Sequence, residues 1–164
     1  MNAKILLFSA TFILPPLFAA NDHLNPSNDM SPKTRQRATA TVTVQHSDAK
    51  VYDELATPIL KELTLTEVFT GEITGESSVR ALQIFYGEGS ARMTSVQRVK
   101  GILAKRKGTF VLQGSEVIEN GKIKATWFVV PDTGTEELIG LRGEGGFEGD
   151  FGKGSSAYLE YWFE

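Results

Sequence analysis

Alternation of apolar and polar residues dominates the chain from residue 38 onward. The segment "ATATVTVQ" at 38–45 alternates aliphatic residues with threonine, and "LTLTEVFTGEI" at 63–73 repeats the alternation. A period of two residues is typical of a strand that buries one face and exposes the other. Both segments are therefore predicted to be β-strands.

Six later segments carry the same signal. They are "VRALQIFY" (79–86), "ARMTSVQRVK" (91–100), "GTFVLQGSEVI" (108–118), "KIKATWFVV" (122–130), "ELIGLRGEGG" (137–146) and "SAYLEYWF" (156–163). The dipeptide Asn120-Gly121 lies between two of them and readily adopts positive φ at both central turn positions, so a tight hairpin is expected there. Only "SDAKVYDELATPILKEL" is ambiguous, and it is consistent with a helical turn before Pro58.

Eight strands joined mostly by short turns predict the fold class. An eight-stranded antiparallel closed β-barrel leaves no exposed sheet edge and is the natural architecture for this count. A β-sandwich is the alternative. The expected barrel is all-β, of lipocalin size, and forms a single domain over residues 38–164.

The first residues of the chain differ from this pattern. Lys4 precedes the apolar run "ILLFSATFILPPLFAA", which ends in small residues before the polar segment "NDHLNPSND". This order predicts a signal peptide at 1–20, with cleavage near Ala19 or Ala20, and hence a secreted or periplasmic protein. An uncleaved membrane anchor is the alternative. Residues 21–37 are polar, lack periodicity and are expected to form a flexible leader.

Composition and charge exclude several classes of site. The chain contains no cysteine, only two histidines far apart in sequence, and a net charge of −3 with scattered basic residues. Thiolate and His-rich metal sites, a cysteine nucleophile and a basic nucleic-acid surface are therefore not expected. No cofactor motif is present, and the stretch "GLRGEGGFEGDFGKG" at 140–154 lacks a strand-to-helix phosphate loop, so its glycines are interpreted as structural.

The last third of the chain carries a recognisable motif. "GTFVLQGS", "KATWFVVPDTGTEELIGLRGEGGFEG" and the aromatic terminal strand, together with "EVFTGEITGESSV" and "RVKGIL", resemble the bacterial domain-of-unknown-function family 3224. The resemblance spans most of residues 38–163. It implies a small barrel of the allene-oxide-cyclase type and implies little about chemistry, because a fold alone does not assign a function.

Strand parity predicts which side chains face the interior. The predicted inward set is Ala38, Ala40, Val42, Val44, Leu63, Leu65, Glu67, Phe69, Ala91, Met93, Ser95, Gln97, Val99, Phe110, Leu112, Ile123, Ala125, Trp127, Val129, Ile139, Leu141, Ala157, Leu159, Tyr161 and Phe163. An apolar pocket that carries a few polar groups is the default site for a small ligand. The candidate ligand-binding residues are Glu67, Phe69, Met93, Ser95, Gln97, Trp127 and Tyr161.

Glu67 is the best candidate for a catalytic residue. A carboxylate on an apolar face should have a raised pKa unless a donor or a cation meets it, and such a group can act as a general acid or base. The alternatives are a β-bulge that turns Glu67 outward, or a structural ion pair with Arg142 or Arg98. His46 with Asp48 offers two metal ligands without a third.

Three functions follow from these observations. The first is an exported barrel that binds a small apolar molecule in its interior. The second is a cofactor-free isomerase or cyclase that uses Glu67 as acid or base. The third is an interaction barrel that forms a homo-oligomer through Tyr158 and Trp162. An outer-membrane barrel is disfavoured, because the outward positions include Arg92, Arg98, Lys100 and Lys124. No stable membrane insertion after signal cleavage and no nucleic-acid partner are expected.

Overall fold

The computed structural model describes residues 34–150 and 153–164, which form a closed ring of eight antiparallel strands. The strands are β1 (Gln36–Asp53), β2 (Ile59–Gly71), β3 (Ile73–Gly87), β4 (Ser90–Leu103), β5 (Arg106–Glu119), β6 (Lys122–Val129), β7 (Leu141–Asp150) and β8 (Ser155–Phe163). Each strand pairs with its neighbour in sequence, and β8 pairs with β1 to close the ring. The predicted all-β closed barrel is confirmed.

Some predicted segments lie outside the described residues. The signal segment 1–20 and most of the leader 21–37 are among them. Within the described part, β1 already begins at Gln36, two residues before the predicted start of the domain. No helix in the described part of the chain is long and apolar enough to cross a lipid bilayer.

Of the side chains predicted to face inward, two are exposed and the others are buried or half-buried. Val44 is 47% exposed, because β1 pairs with β8 only as far as Val42 and continues beyond the ring paired with β2 alone. Ile139 is 71% exposed, because β7 begins at Leu141 rather than at residue 137. The prediction that Ile139 faces inward is wrong, whereas Val44 keeps its inward parity and lines a cavity at its end of the barrel.

The ambiguous segment at 47–63 contains no helical turn. Strand β1 continues to Asp53, a short link follows, and β2 starts at Ile59. A 3₁₀ turn occurs instead at Glu136–Leu138, in the connection between β6 and β7. The hairpin predicted at Asn120-Gly121 is present, and both residues have positive φ.

The connection between β6 and β7 lies against β5 at one end of the barrel. The Thr109 amide donates to Thr135 Oγ1 at 2.9 Å, and the Val111 amide donates to Thr133 Oγ1 at 3.1 Å. These bonds hold the 3₁₀ turn in place, and its Leu138 is fully buried in the core. We call this the closed end.

Most of the hydrophobic core lies toward the closed end. It includes Phe69, Leu103, Phe110, Trp127, Leu138, Leu141, Leu159 and Tyr161. Gly145 faces this core from β7, and a Cβ there would lie 2.1 Å from the Tyr158 carbonyl oxygen and 2.7 Å from Trp127 Nε1. The glycine-rich segment therefore provides space for the Trp127 indole, as the structural interpretation of that segment requires.

Candidate functional site

A chamber occupies the other end of the barrel, where the β1–β2, β3–β4, β5–β6 and β7–β8 connections lie. Its volume is about 280 Å³. Ligand pockets usually measure about 300–1,000 Å³, so the chamber suits a small molecule. We call it the open-end chamber.

The walls of the open-end chamber are mostly apolar. Aliphatic, thioether and aromatic side chains contribute from six of the eight strands: Val42, Leu63, Leu65, Val79, Ala81, Met93, Ile123 and Phe147. The polar groups among the lining residues include Glu67, Ser95, Gln97 and Glu116. An apolar enclosure with a few convergent polar groups is the usual composition of a ligand site.

Glu67 projects from β2 into this chamber. Its carboxylate Oε2 accepts a hydrogen bond from Ser77 Oγ at 3.0 Å, and the side chain is buried. Burial raises the pKa of Glu67, and the bond from Ser77 opposes the rise in part. The carboxyl group is therefore easier to protonate than an exposed glutamate.

Neither structural alternative for Glu67 is present. The β-bulge in this region lies on β1, between Val44 and His46, and Glu67 keeps its inward parity. Arg142 pairs with Asp132 and Glu164, each at 2.9 Å, at the closed end. Arg98 lies on the exposed outer face of β4. The interpretations that invoke a parity shift or an arginine partner are therefore wrong.

A second carboxyl group, Glu116, enters the chamber from β5. It is 6% exposed, and its Oε1 accepts a hydrogen bond from Ser95 Oγ. Burial raises its pKa to about 7; the bond from Ser95 opposes this rise, and the nearby charge of Glu67 adds to it. Gly114 leaves space for this carboxyl, since a Cβ there would lie 2.8 Å from Glu116 Oε1.

Two buried oxygens in the chamber have no hydrogen-bond partner among the residues that the structure describes. They are Glu116 Oε2 and Gln97 Oε1, and Gln97 is only 4% exposed. Buried polar atoms in proteins are almost always paired, so each exception needs an explanation. Because both residues line the chamber, a bound molecule could supply the missing donors.

The structure divides the seven candidate ligand-binding residues into two groups. Four line the open-end chamber: Glu67, Met93, Ser95 and Gln97. The other three do not line it and pack in the core: Phe69, Trp127 and Tyr161. The ligand-binding role of all seven stays a prediction, but the geometry supports only the first four.

Trp127 and Tyr161 have structural partners for their polar atoms. The Trp127 indole N–H donates to the Tyr158 carbonyl oxygen at 3.2 Å, and the Tyr161 hydroxyl donates to Gln36 Oε1 at 2.6 Å. The Trp127 ring also lies 6.3 Å from Phe69 and 5.2 Å from Phe147, between centroids. These aromatic residues are satisfied within the protein.

Sequence reasoning missed Ser77 and Glu116. Glu116 shares its strand parity with Phe110 and Leu112, which were assigned inward, so extending the alternation along the same strand would have found it. Ser77 lies before the predicted start of its strand at residue 79, whereas β3 begins at Ile73. Its pairing opposite Glu67 depends on register, which the sequence does not reveal.

A larger concavity of about 970 Å³ lies on the outer face of β5–β8. It includes Phe128, Glu144 and Trp162. Among the described residues, the buried side-chain oxygens without a hydrogen-bond partner are Gln97 Oε1 and Glu116 Oε2. Both residues line the chamber, and neither lines this concavity. The smaller chamber is therefore the stronger candidate.

Metal binding finds no support in the described ranges 34–150 and 153–164. Within them, no three His, Cys, Asp or Glu side chains are grouped so that they could hold an ion. His46 and Asp48 lie on the exposed part of β1. Glu67 and Glu116 offer two carboxylates to the chamber, and a metal ion would need further oxygen ligands from Gln97 or the serines.

Comparison with known proteins identifies the family. The family model described as "Protein of unknown function (DUF3224)" matches residues 38–163. The chain belongs to this family. A crystal structure of a DUF3224 protein with unknown function from Shewanella oneidensis MR-1 superimposes on this DUF3224 protein with a TM-score of 0.67. The two chains are 25% identical, and the match covers 80% of this chain and 99% of the other. No curated protein matches this chain.

Proposed function

We propose that this DUF3224 protein binds a small, largely apolar molecule in the open-end chamber. One observation carries the proposal: a cavity of about 280 Å³ has aliphatic walls and also contains buried polar atoms that lack partners. An interior selected only for stability would be filled, because cavities and unpaired polar groups both destabilise a fold. Export of the protein, predicted from residues 1–20, would make this binding extracellular or periplasmic.

Native mass spectrometry of the purified protein tests the proposal. We expect a bound species of low mass that is released under denaturing conditions. In the matched variants, Ala81→Phe fills the chamber from β3, and Leu82→Phe places the same ring on the exposed face of that strand. The first variant should lose the ligand and the second should retain it, with far-UV circular dichroism confirming that both fold. Equal ligand content in the two variants would contradict the proposal.

Acid–base catalysis is a second candidate function. The buried carboxyls of Glu67 and Glu116 face one chamber, and each accepts a hydrogen bond from a serine hydroxyl. When one carboxyl is ionised and the other is protonated, such a pair can exchange a proton with a bound molecule. In this hypothesis Glu67 is the acid or base, without a cofactor, as in an isomerase or cyclase. The test incubates the co-purified ligand with protein in D₂O. Incorporation of deuterium at a carbon atom of the ligand, absent when the Glu67→Gln variant is used, supports catalysis. Recovery of the ligand unchanged and unlabelled supports binding alone.

Homo-oligomer formation through Tyr158 and Trp162 stays a prediction. Both rings lie on the outer side of β8, where Arg37 stacks over Tyr158 at 4.2 Å and Arg35 stacks over Trp162 at 4.5 Å. The mass of the intact species in the same native spectra gives the oligomeric state. Replacing Trp162 with Arg should dissociate an oligomer built on this surface.

A further inference from the structure

Among the described residues, the buried side-chain atoms of the open-end chamber that lack a hydrogen-bond partner are acceptors. Ser77 Oγ–H is used by Glu67, and Ser95 Oγ–H is used by Glu116. Glu116 Oε2 and Gln97 Oε1 are left without a partner, and an ionised carboxylate only accepts hydrogen bonds. A complementary ligand would therefore place hydrogen-bond donors at these two oxygens.

The chamber also lacks positive charge. Among its lining residues in the described part of the chain there is no lysine, arginine or histidine, while Glu67 and Glu116 approach from β2 and β5. An ionised carboxylate in such a place is stabilised by an opposite charge at close range. A cationic group that carries several N–H donors would satisfy both requirements.

We propose that the ligand is a small apolar amine, bound as its ammonium ion with its N–H groups directed to Glu116 Oε2 and Gln97 Oε1. This inference rests on the proposed function, since it assigns the chemistry of the molecule that occupies the chamber. The apolar part of the amine contacts the aliphatic walls, including Leu63, Leu65 and Val79. Glu67, held by Ser77, contributes a second negative charge near the ammonium group.

The walls favour an organic cation over a metal ion. Hard cations such as Ca²⁺ bind six to eight oxygen ligands. Here the polar atoms form only one part of a cavity of about 280 Å³, and most of the other lining side chains are aliphatic. A molecule with one charged end and an apolar body matches this division.

Binding of an ammonium ion should release a proton from the chamber. Because the pKa of Glu116 is about 7 in the empty protein, a large share of the molecules carry a proton there at neutral pH. The ammonium group keeps its own protons and pairs with the ionised form of Glu116. The proton that Glu116 carried is therefore released to the solvent. Affinity should therefore fall as the pH decreases below about 7. Glu67 and Glu116 are the ionisable groups among the lining residues.

Isothermal titration calorimetry with three probes of matched length tests the inference. The probes are hexylamine, hexan-1-ol and hexanoate, each titrated into the ligand-free full chain at pH 8. We expect hexylamine to bind about ten- to a hundredfold more tightly than hexan-1-ol, the usual contribution of hydrogen bonds to a charged group. Hexanoate should bind more weakly than the alcohol, because its charge repels both glutamates.

Two chamber variants and a control sharpen the result. Glu116→Gln removes the charge at constant size and should abolish the preference for hexylamine over hexan-1-ol. It should also abolish the proton release, which is measured by repeating the hexylamine titration at pH 6.5 in buffers of different ionisation enthalpy. Gln97→Met removes the orphaned acceptor and should weaken hexylamine without affecting hexan-1-ol. Glu119→Gln is the matched control, since Glu119 lies on the exposed face of the same strand. It should leave all three affinities unchanged.

The outcomes separate this inference from the proposed function. Equal binding of hexylamine and hexan-1-ol, unaffected by Glu116→Gln, would overturn the amine assignment and leave the ligand chamber intact. Binding of Ca²⁺ alone, lost in Glu116→Gln, would also overturn it. Failure of every probe to bind, in a protein that also yields no co-purified molecule, would overturn the proposed function itself. Preference for hexylamine that depends on Glu116 and Gln97 supports both.

Discussion

The closed end and the open-end chamber are built from the same eight strands but have opposite interiors. At the closed end the inward side chains are almost all apolar, and the polar atoms that enter, such as the Trp127 indole N–H and the Tyr161 hydroxyl, have partners within the protein. In the chamber, inward positions carry Glu67, Gln97 and Glu116, and two of their oxygens have no partner in the described part of the chain. The same alternation produces both interiors, so the difference lies in which residue types occupy the inward positions.

This division indicates that the two ends serve different purposes. Buried hydrocarbon and paired polar groups at the closed end stabilise the barrel. Buried carboxyls and an open cavity reduce stability, and natural proteins accept such a cost mainly where function requires it. Substitutions at the closed end should therefore affect folding, and substitutions in the chamber should affect binding while often increasing stability.

Phe69→Ala should produce the largest loss of stability. The ring is 1% exposed and packs against Trp127, so its removal leaves a cavity in the core and should cost about 3–5 kcal/mol. The control Leu63→Ala lies on the same strand in the half-buried chamber wall and should cost clearly less. Urea unfolding followed by tryptophan fluorescence measures both. Equal costs would show that the chamber wall is packed as tightly as the closed end.

Glu116→Gln should stabilise the protein at neutral and alkaline pH. The folded-state pKa of about 7 lies above the ordinary value of 4.5, so the folded protein binds more protons than the unfolded chain between these values. The contribution of Glu116 is thus fully favourable below pH 4.5 and is lost as the pH rises through about 7. The shift corresponds to about 3 kcal/mol.

Unfolding free energies measured from pH 4 to pH 9 check this prediction. The wild-type protein should lose stability across that window relative to Glu116→Gln, the two should be equally stable at the acidic end, and the variant should be more stable at the alkaline end. Glu119→Gln is again the control, because it makes the same substitution on the exposed face of the same strand. A parallel pH dependence in wild-type protein and Glu116→Gln would mean that Glu116 is solvated.

Sequence alone predicted the ring of strands and most of its inward faces, because both follow from a period of two and from local turn residues such as Asn120-Gly121. Burial was overestimated at two positions where the chain is not part of the closed ring. Val44 continues past the pairing with β8, and Ile139 belongs to the connection that closes the barrel. The residues near these positions do not indicate where β1 leaves the closed ring or where β7 begins.

The site was predictable only in part. Glu67, Ser95 and Gln97 were found because each is a polar residue on an otherwise apolar face. The contact of Ser77 with Glu67, and the approach of Glu116 toward Glu67 from the opposite wall, depend on the register and curvature of the closed sheet. Phe69, Trp127 and Tyr161 share the same parity but lie deeper, and parity cannot reveal depth along the barrel axis.

Trp127→Phe should have a moderate effect on stability and none on the chamber. The variant loses the bond from the indole N–H to the Tyr158 carbonyl oxygen together with some buried surface, so we expect a cost of about 1–2 kcal/mol. Hexylamine affinity should stay within twofold of the wild-type value. Trp127 was predicted from sequence to contact the ligand. A large loss of affinity in a folded Trp127→Phe variant would support that prediction and would show that the ligand reaches into the core.

The smallest effect is expected on the outer face, at the pair formed by Arg92 and Glu119. Their charged atoms lie 2.7 Å apart, but the side chains are 46% and 60% exposed, so water screens the attraction. A double-mutant cycle with Arg92→Ala and Glu119→Ala should give a coupling energy below about 1 kcal/mol, and this energy should decrease further in 0.5 M salt because dissolved ions screen exposed charges. A glutamate on the outside of β5 would then contribute little to stability, whereas Glu116 on the inside of the same strand opposes it at neutral pH. A coupling as large as the effect of Glu116→Gln would show instead that the outer charges, and not burial in the chamber, dominate the electrostatics of this strand.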